Sequence, residues 1–156
     1  MKPVIQEEIS GCGIASVATL VGVTYKQAQV AANKLGIFAE DQRLWSETHH
    51  VRNLLQHFGG HASSTELSFR SWESLPSVAL LSTKWHLERG SPFWHWAVFW
   101  RGPQGAVVLD SKKALQANIR TDFWRIKPKW FIEVHRTQQG AAPDVLVAAS
   151  RRQGRW

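Results

Sequence analysis

Residues 4–22 read VIQEEISGCGIASVATLVG, and the only cysteine of the chain, Cys12, stands there between two glycines. From Cys12 to Val21 the residues are small or apolar, which predicts a helix. Ser10 and Gly11 suit its N-terminal boundary, and Gly22 suits its end. A cysteine at that place meets the unpaired backbone N–H groups of the first helical turn. Those groups and the helix dipole favour the thiolate over the thiol. They can also receive the oxyanion that forms when a carbonyl is attacked. Read alone, the same residue is a small buried hydrophobe, so its partners decide between the two readings.

Two further helices follow. Thr24 opens the first with Gln27 three residues on, the spacing of a capping box, and YKQAQVAANKL runs to Gly36. Ser46 opens the second, ETHHVRNLLQHF, which stops at Gly59-Gly60. Val51, Leu54, Leu55 and Phe58 recur in it at helical spacing. After residue 60 the pattern turns strand-like. SVALLST (77–83), WHWAVFWR (94–101), AVVLDS (106–111) and KWFIEVHR (129–136) are apolar, aromatic or β-branched runs. KKALQANI (112–119) suits one or two helical turns. Trp45, Trp72, Trp85, His61 and His86 fall in loops. Helices first and an antiparallel sheet afterwards is an α+β order. Residues 1–136 make one domain, and 137–156 make a partly ordered basic tail.

A thiolate mechanism needs an imidazole partner, and the imidazole needs an orienting group. Of seven histidines, His95 is placed best. If 94–101 and 105–111 form a hairpin, a tip at Gly102-Pro103 sets His95 directly opposite Asp110, and a 102–105 loop sets Asp110 diagonal to it on the same face. Cross-strand neighbours on one face are close enough for a side-chain hydrogen bond. A carboxylate on one imidazole nitrogen fixes the tautomer and leaves the other for the thiol. His95, Ala97 and Phe99 share one face of that strand; Trp94, Trp96, Val98 and Trp100 share the other. Apolar residues on both faces indicate a strand covered on both sides. His57 and His61 are four apart, but the glycines between them break the helix, and no cysteine or acidic cluster completes a metal site.

QEEISGCGIAS, HWAVFW and VLDS, in this order, resemble the papain-like cysteine peptidases of the bacteriocin-processing type, peptidase family thirty-nine. The resemblance covers roughly residues 4–135 and is carried by these three short motifs. It implies a papain-like fold, with Cys12 as nucleophile, His95 as general base and acid, Asp110 as its orienter and Gln6 as an oxyanion-hole donor. The implied chemistry needs no cofactor or metal. Two positions depart from the family's pattern: Gly11 stands where Asp is frequent before Cys-Gly, and Ser111 stands where Pro is frequent after the Asp. Neither position performs chemistry. The membrane and ATP-binding domains of transporter-linked relatives have no counterpart here, so the expectation is a stand-alone hydrolase acting on a peptide or protein. Deamidation and acyl transfer use the same machinery.

Composition bounds the alternatives. The chain has 156 residues and 44% hydrophobic residues, a globular composition of one-domain size. One cysteine permits no internal disulfide and suits a reducing compartment. No secretory signal opens the sequence, and no run approaches the roughly 20 apolar residues of a membrane span, so the expected location is cytoplasmic. The formal charge of +7 raises nucleic-acid binding, with Arg151, Arg152 and Arg155 in the tail. The other positive charges are scattered, which describes a solvated surface more often than a binding face. A non-catalytic module of the same fold that binds a peptide in its cleft is the remaining alternative.

Overall fold

The computed structural model describes residues 1–41, 43 and 46–135, so the expected tail, with Arg151, Arg152 and Arg155, lies outside the described residues. Helix α1 (Cys12–Val21) starts at the cysteine, and Cys12 to Leu20 are all buried. A helix apolar on every side needs cover on every side. It packs against helix α2 (Tyr25–Lys34), helix α3 (His49–His57) and the long strand β4 (Ser91–Gly102). Gly22 ends α1 at φ 74°, a conformation that suits glycine, and its N–H returns to the Ala18 carbonyl at 2.9 Å. The Thr24–Gln27 capping box is present in both directions, at 3.1 and 2.9 Å. α3 starts two residues later than the sequence suggests. Ser46 is held in a turn by its N–H to the Arg43 carbonyl at 3.3 Å, and the helix begins after Thr48.

The sheet is antiparallel throughout. It comprises β1 (His61–Ala62), β2 (Leu67–Ser68), β3 (Val78–Glu88), β4, β5 (Gly105–Leu109), β6 (Ile119–Arg120) and β7 (Trp130–His135). The order is β1-β7-β3-β4-β5-β6, with β2 also paired to β7. The fold is therefore α+β, with three helices on an antiparallel sheet and Cys12 at a helix start. Strand β4 is apolar on both faces because both are covered. Trp94, Trp96 and Val98 join the helices in the main core, while Ala97 and Phe99 join Leu75, Ile126 and Phe131 in a second, smaller core.

Three local expectations are corrected. β3 runs on to Glu88, so Trp85 and His86 are strand residues. A register shift between Thr83 and His86 lets the strand continue past Lys84, which takes φ 52°. His61 pairs with His135 as the first residue of β1. Residues 112–118 form turns and not a helix, and Ile119 enters β6, because the Asn118 amide donates to the Asp110 and Lys112 carbonyls at 2.7 and 2.9 Å and ties the segment into a loop. Among the described residues no helix is long and apolar enough to cross a membrane.

Candidate active site

The β4–β5 hairpin sets the geometry. Gly102 pairs with Gly105, Arg101 with Ala106, and Val98 with Leu109. Continued by one residue, this register puts Asp110 opposite Ala97 and diagonal to His95, the longer-loop alternative of the two. The diagonal spacing is bridged: His95 Nε2 and Asp110 Oδ1 are 2.8 Å apart. Asp110 is almost wholly buried, and its carboxylate is fully used. Oδ1 also accepts the Lys112 backbone N–H at 3.1 Å, and Oδ2 accepts from Arg120 at 3.1 Å. Arg120 is fixed in turn by a two-pronged pair with Asp122, at 2.9 and 2.8 Å.

With Nε2 held by Asp110, Nδ1 is the ring nitrogen left for Cys12, which lines the same cavity as His95 and favours charge on its ring. Burial opposes charge on the His95 ring. The hydrogen bond to Asp110 and the negative charges of Asp110 and Cys12 outweigh burial and raise its pKa from 6.5 to about 9. Burial likewise opposes ionisation of Asp110, but His95, the Lys112 N–H and Arg120 hold it at about 2. The imidazolium–carboxylate pair is thus the state favoured at neutral pH.

Both glycines beside Cys12 have a packing reason. A Cβ on Gly11 would collide with the Tyr25 hydroxyl and come within 3.2 Å of a Glu8 carboxylate oxygen. Tyr25 donates to that carboxylate, Gln29 occupies its other oxygen, and burial raises the Tyr25 pKa so that the phenol keeps its proton. The Tyr25–Glu8 pair thus fills the space that an Asp side chain at position 11 would need. A Cβ on Gly13 would stand 3.1 Å from Val51 Cγ1 and 3.4 Å from Trp96 Cδ1, so the first turn of α1 lies tight against α3 and β4. That contact fixes the height of Cys12 over the sheet.

Gln6 is buried and lines a cavity with His95, but its amide is committed. Nε2 donates to the Glu8 and Ile9 carbonyls at 3.1 and 2.7 Å, and Oε1 accepts from the Ser111 hydroxyl at 2.8 Å. Its backbone N–H meets the Ser111 carbonyl at 3.0 Å. Both amide hydrogens therefore hold the 8–9 backbone, and aiming one at an oxyanion requires giving up a bond. The position after Asp110, which the sequence reading set aside as chemically idle, orients Gln6 through Ser111.

Two cavities, of about 220 and 310 Å³, open at this place and share Ile9, Lys84 and His95. Cys12 and Trp94 line the smaller; Gln6, Lys112 and Lys113 line the larger. Ile9 stands between them and is 95% exposed.

The comparisons with known proteins find nothing: no protein-family model, no curated protein and no solved structure matches this chain.

Cys12, His95 and Asp110 are thus brought together, and Gln6 is tied to them through Ser111. Arg120, Ser111, Asn118 and Lys84 escaped the sequence reading. Arg120 lies in a two-residue strand with no pattern of its own, and only the pairing of β5 with β6 brings it to Asp110. His57 and His61 do not pair, since His61 stacks on His135 with ring centroids 6.1 Å apart. Among the described residues the converging set of metal-type ligands is Glu47, His49 and His50, around the start of α3. The pair of Glu47 with exposed His49 is on the surface, and an acid-base cluster at a helix start is a weak basis for a metal centre.

Proposed function

We propose that the protein is a thiol hydrolase of papain-like fold that cleaves a peptide or amide bond. The observation that carries this reading is the His95 ring, 2.8 Å from a buried carboxylate and lining one cavity with Cys12. The Cys12 thiolate attacks the carbonyl carbon. The oxyanion develops next to the first backbone N–H groups of α1, which have no partner inside the helix. His95 then gives its proton to the leaving amine as the C–N bond breaks, and an acyl-enzyme remains on Cys12. Water attacks the thioester with His95 as base, which releases the acid and restores the thiolate–imidazolium pair. Asp110 keeps the ring oriented and charged, Arg120 keeps Asp110 in place, and Gln6 holds the 8–9 backbone at the lip.

One experiment tests the reading directly: a complex peptide mixture incubated with wild type or Cys12→Ala, followed by mass-spectrometric mapping of new termini and of deamidated sites. Products made by wild type alone support it, and identical digests from both proteins contradict it. The committed Gln6 amide favours a second reading, a module that binds a peptide in the cleft without cutting it. In that case peptide binding survives Cys12→Ala and no product appears with wild type.

A further inference from the structure

We infer that Lys84 and Lys112 form a carboxylate-binding subsite beside Cys12, so that the substrate carries an acidic group next to the bond attacked. This rests on the hydrolase reading for its biological meaning, but the subsite itself is a property of the cleft. Lys84 shares one cavity wall with Cys12 and His95, and the other wall with Lys112 and His95. Its backbone is unusual. The β3 register moves from Thr83 opposite His95 to His86 opposite Phe93, so Lys84 and Trp85 together face Trp94. Lys84 adopts φ 52° at this bulge, a left-handed conformation that costs energy in a residue with a side chain. Bulges re-aim side chains, and Lys84 here lines the same cavity as Lys112.

Two like charges on one cavity wall repel. The neighbouring Lys112, followed by burial, pulls the Lys84 pKa down. Neither lysine makes an ion pair among the described residues. The nearest carboxylate, Asp110, already has its oxygens taken by His95, the Lys112 backbone and Arg120. Of the two acids on the same cavity wall, Glu8 is bonded to Tyr25 and Gln29, and Glu7 is exposed at the rim. A carboxylate from outside, set between the two amines, relieves the repulsion and forms two charge-assisted hydrogen bonds.

Because Cys12 is the only cysteine, alkylation read by intact mass reports this site alone. The probes are iodoacetate, which carries a carboxylate, and iodoacetamide, its neutral analogue. Their rate ratio is measured for wild type, Lys84→Met, Lys112→Met and the double variant at low salt. The ratio cancels changes in thiol reactivity common to both probes, so it stays informative even if Cys12 reacts slowly and the hydrolase reading fails. The expected result is a ratio that falls about fivefold in the double variant, the order of one close charge pair in water. Added salt should shrink the difference. A ratio equal in wild type and double variant, at low salt and with folding confirmed by circular dichroism, overturns the inference. Protection of Cys12 from iodoacetamide by acetyl-glutamate α-amide identifies an acidic side chain as the ligand, and protection by acetyl-glutamine identifies a chain-terminal carboxylate. Protection no better than that given by uncharged acetyl-glutamine α-amide also counts against it.

Discussion

Ser111 donates its hydroxyl to Gln6 Oε1 at 2.8 Å, joining two buried residues 105 positions apart in the chain. With the backbone bond from Gln6 N–H to the Ser111 carbonyl, it fastens the N-terminal segment to the end of β5. Cys12 and Asp110 arrive on these two segments, so the pair sets how far apart they stand. Ser111→Ala leaves a buried acceptor without its donor and should lower stability by about 1–2 kcal/mol. Gln6→Ala removes more bonds and should cost more. Chemical denaturation with a common m-value tests the order; a Gln6→Ala cost no greater than that of Ser111→Ala contradicts it.

The His95–Asp110 pair has a definite pH signature. The His95 pKa is raised from 6.5 to about 9, so its contribution to stability is complete below about 6.5 and is lost as pH rises through about 9. The Asp110 pKa is lowered from 3.8 to about 2, so its contribution is present above about 3.8 and is lost as pH falls through about 2. Asp110→Asn should move the His95 titration, followed by NMR of the ring carbons, to lower pH. It should also destabilise the fold by about 3 kcal/mol, because Arg120 is left facing a neutral group in a buried pair. An unchanged His95 midpoint in Asp110→Asn means the two residues do not interact in solution.

Gly11 is a packing requirement. Gly11→Ala pushes a methyl group into the Tyr25 hydroxyl, and overpacking of this kind costs about 1–3 kcal/mol. Gly11→Asp should cost more, because a second carboxylate then approaches Glu8. In the Gly11→Ala background, Tyr25→Phe should recover part of the loss by removing the atom in collision. Thermal unfolding of the four proteins forms a double-mutant cycle, and strictly additive costs would rule out the collision.

Much of this arrangement could be read from residue patterns. α1 was legible because small apolar residues fill all its faces between Gly11 and Gly22. The His95–Asp110 bond was legible because a hairpin fixes facing residues once its loop length is known, and the loop was the one unknown. What could not be read depends on contacts distant in sequence or on side chains that override local preference. Residues 112–119 have helix-forming character, yet one amide, Asn118, takes their carbonyls. β3 passes Lys84 only by a bulge, which no strand pattern encodes. Arg120 and Ser111 are single polar residues whose partners lie 10 and 105 positions away. Gly11 and Ser111 each meet partners that the motifs do not contain, Tyr25 with Glu8 in one case and Gln6 in the other.

If His95, held charged by Asp110, activates Cys12, removing its ring changes the reactivity of the thiol. The rate of iodoacetamide alkylation at Cys12 across pH 5–10, in wild type and His95→Ala, tests it most directly. At about pH 6 a free thiol is almost wholly protonated. Wild type should still react there at least about tenfold faster than His95→Ala, and the gap should close above about pH 9, where the ring loses its proton. Superimposable profiles for the two proteins, both rising as an ordinary thiol ionises, would contradict the account.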